Sequence, residues 1–184
     1  METAQVVAFV AFLVVAIVVA ALARRAGWFL SRTREAEGFR GAAADLARRV
    51  EISLGDVGFV IDAVRRRTTE PETITPSLVA ARDAIERYTD EVRALRAPHD
   101  AVPYCDAIVA ELERAGRAIE LVEHGCALFV AHRRIARGSE AETAVKRGYL
   151  NLIHARESIA EQAKHAIDRA EDASPVRRFG RRSA

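Results

Sequence analysis

Lysine and cysteine are both scarce in this chain: two lysines stand against 26 arginines, and there are two cysteines in 184 residues. Two cysteines exclude a disulfide framework and any Cys-x-x-Cys metal or redox motif. Cys105 and Cys126 fall in one predicted helix, on one face but ~31 Å apart. A disulfide needs Cα atoms within about 7 Å, so the pair reads as free buried thiols suited to a reducing compartment. Aromatic residues make up only 6% of the chain and prolines number five, with no alternation of the kind that builds strands. A β-rich fold is thereby excluded. The preference for arginine over lysine reads as the coding bias of a GC-rich genome.

Catalytic signatures are equally absent. The chain has no phosphate-binding glycine loop, no Gly-x-Ser-x-Gly and no His-Glu-x-x-His. It lacks the His-x-x-Lys-Gly of phosphotransfer bundles. No glutamate has a histidine three residues after it, which removes the di-iron carboxylate pattern. The expectation is therefore a protein that is not an enzyme and carries no cofactor. The net charge of +2 provides no global field for a polyanion, and no nucleic-acid partner is expected.

Charge distribution says more than its sum. Residues 35–172 hold 20 basic and 25 acidic side chains, a net of −5, while both ends are basic. At the N-terminal end, residues 4–23 (AQVVAFVAFLVVAIVVAALA) carry no charge and a single polar side chain, Gln5. Twenty such residues in a helix cover about 30 Å, the thickness of a bilayer's hydrocarbon core. Arg24, Arg25, Trp28, Phe29, Arg32 and Arg34 follow directly, in the order of an interfacial collar. A cleavable signal peptide is the competing reading, and Ala21-Leu22-Ala23 offers a cleavage site. The segment before the apolar run holds Glu2 and no positive charge, which favours a retained anchor. Basic residues on the C-terminal side of the span predict a single-pass protein of the cell membrane, N-terminus outside and the rest in the cytoplasm.

Apolar residues then recur at steps of three and four in four stretches, approximately 34–67, 76–97, 101–137 and 140–172. The first is weakened by Gly55 and Gly58 and could be two pieces. Thr75-Pro76 resembles an N-cap with proline at the first helical position, and Gly138 a C-cap. Ser139 with Glu142 reads as a capping box. The fold expected is all-α: a transmembrane anchor over 1–30, an antiparallel four-helix bundle with coiled-coil-like heptads over 31–173, and a basic tail over 174–184.

Two groups of residues are candidate sites. His124 and Glu120 share a face of the third helix, and His154, Glu157, Glu161 and His165 share a face of the fourth. They are weak metal ligands, since i,i+4 pairs on solvated faces look the same. Arg177, Arg178, Phe179, Arg181 and Arg182 form the tail's membrane-interface set, with an anionic leaflet as partner. The function expected is an adaptor, scaffold or accessory subunit that binds a protein partner or self-associates. A tethered ligand- or metal-binding sensor, or an exported helical domain, are the alternatives.

Overall fold

The computed structural model describes the backbone of residues 2–131 and 138–172, with side chains described at 17–22, 24, 33–131 and 139–172. The described elements are helical: α1 (Glu2–Arg65), α2 (Thr75–Ala94), α3 (Val102–Ala131) and α4 (Gly138–Asp172), with short 3-10 turns at Pro71–Ile74 and His99–Ala101. The main contacts join α1 to α2, α2 to α3, α3 to α4 and α4 back to α1. Consecutive helices are therefore neighbours around a closed ring, the arrangement of an up-down-up-down bundle. Its core is the set of stripes that the periodicity picks out. Leu54, Ile61, Leu78, Leu112, Ile119, Leu152 and Ile159 are among its fully buried side chains.

Cross-helix pairs give the direction of each neighbour. Arg49 and Ser53 of α1 meet Glu91 and Tyr88 of α2 in reverse order. Arg82 and Arg93 of α2 meet Glu123 and Glu113 of α3 in the same inverted sense. Of these polar links, the one between α1 and α2 is bidentate. The Arg49 guanidinium forks onto Glu91 at 3.2 and 2.5 Å, holds Asp45 at 3.0 Å and lies 5.5 Å from the centre of the Tyr88 ring. Such a bidentate pair carries directional information that single-point lysine pairs lack.

α3 and α4 approach each other through glycine. A Cβ at Gly148 would lie 2.5 Å from Val122 Cγ2 and 2.7 Å from the Ala118 carbonyl oxygen. One at Gly125 would lie 2.7 Å from Val145 Cγ2 and 3.0 Å from the Ala141 oxygen. Each helix thus sets a glycine against the other's backbone. Ala115, Ala118, Ala155, Ala166 and Ala170, all buried, continue the same small-residue face.

Several local expectations are corrected. α1 does not break at Gly55 or Gly58; it runs unbroken for 64 residues, ~96 Å. Two glycines weaken a helix by about 1 kcal/mol each, and the buried Leu54, Val57 and Ile61 outweigh them. Thr75 caps nothing, because the 3-10 turn runs directly into α2 and makes Thr75 its first helical residue. α3 ends at Ala131, and Gly138 begins α4 instead of ending α3. The capping box does not form: Ser139 is already helical, its carbonyl accepts from Thr143 Oγ1 at 2.7 Å, and Glu142 pairs with Arg67.

α1 ends with a different device. The N–H of Arg67 donates to Val64 O and that of Thr68 to Ala63 O, both at 2.9 Å, the bond pair of a Schellman cap. Arg67 takes the left-handed position with φ 61°. Glycine is the usual occupant there, and an L side chain costs roughly 1–2 kcal/mol.

Among the described residues no helix is long and apolar enough to cross a membrane. Within the apolar stretch 4–23 only the side chains of 17–22 are described, so the predicted span lies largely outside them. Ile17, Val18, Val19 and Leu22 are exposed, and Ala36 is the first buried side chain among the described residues.

Candidate functional site

Parity of the four helices brings α1's entry into the bundle and α4's end to the same, proximal, end. The side chains there fix the arrangement. Tyr104, in the first turn of α3, hydrogen-bonds Arg169 in the last turns of α4. That bond, with the fields of Tyr104, Asp172 and Asp100, holds the Arg169 guanidinium above its ordinary pKa. The Tyr104 ring also lies 5.7 Å from that of His165, tilted by 34°. α4 is thereby tied to the 3-10 turn His99–Ala101 and the start of α3, so α4 ends at the end of the bundle at which α1 enters.

Of the predicted interfacial residues, Arg24 and Arg34 are described and exposed. The side chains of Arg25, Trp28, Phe29 and Arg32, and the whole of Arg177, Arg178, Phe179, Arg181 and Arg182, lie outside the described residues.

The candidate metal ligands do not converge. Glu120 and His124 are exposed on α3, Glu120 on the side facing α2. His154, Glu157, Glu161 and His165 are exposed on α4, where His165 approaches Glu161 at 3.7 Å within its own helix. No group of three or more histidine, cysteine or acidic side chains able to hold a metal occurs among the described residues. Both cysteines are free and buried, and burial raises both thiol pKa values, that of Cys126 to about 11. Neither is an activated nucleophile.

Besides a cavity of about 270 Å³ at the α2–α3 connection, lined by Val92, Leu95, Cys105 and Val109 among others, two concave regions stand out among the described residues. The larger, about 460 Å³, is an open groove between α2 and α3 over Ile85, Thr89 and Gly116. Its rim alternates Arg82, Arg93 and Arg117 with Glu86, Asp90, Glu113 and Glu120. Arg93 and Glu113 pair across it at 3.0 Å, and the Thr89 hydroxyl is satisfied by Ile85 O at 2.8 Å. The opposed charges largely cancel, leaving no single-sign field to orient a ligand.

The second region is at the opposite, distal, end. Two adjoining cavities of about 170 and 280 Å³ share Val64, Arg67 and Phe129. The smaller is completed by Arg65, Glu142, Val145 and Lys146, and the larger by Thr69, Glu70 and Pro71. Val64 and Val145 are buried and Phe129 is partly buried, so the floor is apolar. Arg67 spans the mouth to reach Glu142, an ion pair with side chains 77% and 49% exposed. A pair that exposed contributes between nothing and ~1 kcal/mol. Arg65 is engaged by Asp62 at 2.6 Å and lies over the Tyr149 ring at 5.3 Å. Its hydrogen bond is the main reason the Asp62 carboxyl sits below the ordinary carboxylate range. Lys146 has no ion-pair partner among the described residues.

Nothing in the sequence reading pointed to this distal cleft. The readable signal was the run Arg65-Arg66-Arg67-Thr68 at a helix end, where glycine or asparagine is the expected residue.

No protein-family model matches the chain, and no curated protein or solved structure is significantly similar to it.

Proposed function

We propose that the protein is a single-pass membrane protein that displays its four-helix bundle at the cytoplasmic face, as an adaptor, scaffold or accessory subunit. The observation that carries the reading is the continuity of α1. One helix leads from the apolar N-terminal stretch into the bundle core without a break, with exposed Ile17, Val18, Val19 and Leu22 preceding Ala36, the first buried side chain among the described residues. Exposed apolar side chains in succession on an isolated helix are unfavourable in water and favourable in lipid. An uninterrupted helix also holds the bundle at a set orientation to the segment before it.

The convergence of α1 and the end of α4 gives the basic tail its role in this reading. α4 ends on the side of the bundle from which α1 enters, and in this reading Arg177, Arg178, Arg181 and Arg182, which follow it in the sequence, act on that side. Basic side chains near an anionic leaflet contribute about 1 kcal/mol each, and Phe179 supplies an interfacial aromatic. The tail acts as a second attachment beside the helical one. With the bundle held upright, the α2–α3 groove and the distal end are presented to partners.

Alkaline extraction of native membranes together with a C-terminal reporter tests the reading. The chain is expected to remain in the pellet, with a reporter that functions only outside the cytoplasm silent. Release into the supernatant refutes the anchor, and an active external reporter refutes the orientation.

A further inference from the structure

The four helices are not held in the bundle alike. α3 and α4 interlock so closely that a Cβ at Gly125 or Gly148 would lie 3.0 Å or less from a backbone oxygen of the other helix. The α2–α3 seam has no such fit. A Cβ at Gly116 would meet only Ile85 Cγ2, at an ordinary 3.9 Å, and the groove of about 460 Å³ lies open above them. α2 is also the shortest of the four, 20 residues against 30 in α3 and 35 in α4. Its large buried aliphatic side chains are Leu78, Ile85 and Val92, and the rest of its buried face is alanine, Tyr88 and Thr89. Its other ties are polar. Arg49 and Ser53 hold Glu91 and Tyr88 on the α1 side, and Glu123 and Glu113 hold Arg82 and Arg93 on the α3 side. The ion-paired side chains are 27–56% exposed, and pairs so open to water contribute little.

Both ends of α2 are built to bend. A 3-10 turn leads into it and another follows it. Pro71 and Pro76 stand at its start and Pro98 and Pro103 beyond its end, each without the N–H that would continue helical bonding. In each turn one buried residue, Ile74 or Ala101, pins the chain to the core. We infer that α2 is a strap that detaches from the bundle as one unit, hinged at Pro71–Ile74 and His99–Ala101 and latched by Arg49–Glu91, while α1, α3 and α4 stay packed. Releasing α2 gives up three large side chains and a set of exposed pairs. Releasing α3 or α4 breaks the glycine interlock as well, so the two openings differ in free energy. The open form uncovers the core side chains beneath Leu78, Ile85 and Val92, which gives the molecule two states with different apolar surface. The strap follows from packing alone and holds whether or not the chain is anchored in a membrane.

Native-state hydrogen exchange of the full-length chain in mild detergent, read by mass spectrometry, tests it. Amides of residues 78–92 are expected to share one protection factor, at least about tenfold below those of residues 108–122 and 152–163. Gly148→Ala loosens a contact that is present with α2 on or off. α3 and α4 should therefore exchange at least about tenfold faster in that variant while α2 keeps its parent rate. Glu91→Gln loses its pair only in the closed form, so α2 should exchange about three- to fivefold faster. Three results would overturn the inference: protection in α2 equal to that in α3 and α4, protection graded from the ends of α2 with no shared value, or Gly148→Ala accelerating α2 as much as the rest. An α2 rate unmoved by Glu91→Gln would refute the latch.

Discussion

Adding one methyl group to Gly148 would test whether the close α3–α4 approach organises this bundle. In Gly148→Ala the new Cβ would lie 2.5 Å from Val122 Cγ2, 2.7 Å from the Ala118 carbonyl oxygen and 3.2 Å from the Val122 nitrogen. Ordinary contacts begin near 3.4 Å. The valine methyl cannot turn aside freely, because a β-branched side chain in a helix has one strongly preferred rotamer and Val122 is fully buried. The backbone oxygen cannot turn at all. The helices must therefore separate by the better part of an ångström, loosening Ala118, Val122, Ala141 and Val145 together. Overpacking of this kind costs about 1–3 kcal/mol, and a methyl against backbone belongs at the upper end of that range. Alanine's better helix propensity offsets about 1 kcal/mol.

The net expectation for Gly148→Ala is a loss of ~2 kcal/mol. Gly41→Ala in α1 is the matched control, because nothing lies within 4 Å of its Cβ position. It gains the propensity without the clash, up to about 1 kcal/mol. Thermal unfolding followed by circular dichroism should separate the two variants. Gly148→Ala should melt lower by roughly 4–8 °C and Gly41→Ala higher by up to about 4 °C, at the usual scaling for a chain of this size. If Gly148→Ala melts at or above the parent, the helices are not held at glycine distance and the reasoning fails.

Two further outcomes follow from titratable groups. The hydrogen bond from Arg49 is the main reason the Glu91 carboxyl sits below its ordinary pKa. A depressed carboxylate stabilises the fold above its unfolded pKa, and that contribution is lost as pH falls through the folded value. Stability measured below pH ~5 should therefore decline more gently in Arg49→Gln than in the parent, whereas parallel acid limbs would show that the pair has no energetic role. Cys105 and Cys126 are both buried with raised pKa values, so neither should react with iodoacetamide at pH 8 until denaturant is added. Labelling of the native protein at the rate of a free peptide thiol would contradict that burial.

What could be read in the sequence was what large apolar side chains report. Leu78, Ile85 and Val92 on α2, and Leu112, Ile119 and Val122 on α3, repeat at helical spacing, and the structure buries all six. Large apolar side chains are not all buried, however: Val130, next to the partly buried Phe129 near the end of α3, is 44% exposed. The periodicity missed the second buried face of α4. Ala141, Gly148, Ala155, Ala166 and Ala170 are small enough to suit either solvent or a tight interface, and only the approach of α3 distinguishes the two. Cap signals failed for a related reason. Ser139 and Glu142 satisfy a local pattern, but a 3.6-residue repeat carries no information on Arg67, 75 residues away, which claims the glutamate.

Helix number, the inward stripes and the basic ends flanking an acidic body are thus properties of the sequence itself, because each depends on residues within a few turns of one another. The continuity of α1 through Gly55 and Gly58, the tie between Tyr104 and Arg169, and the distal cleft of Val64, Phe129, Val145 and Lys146 belong to the tertiary structure alone. Each depends on which helix lies across from which. That choice follows from burying every apolar stripe at once in a ring of four helices, and no single stretch of the chain records it.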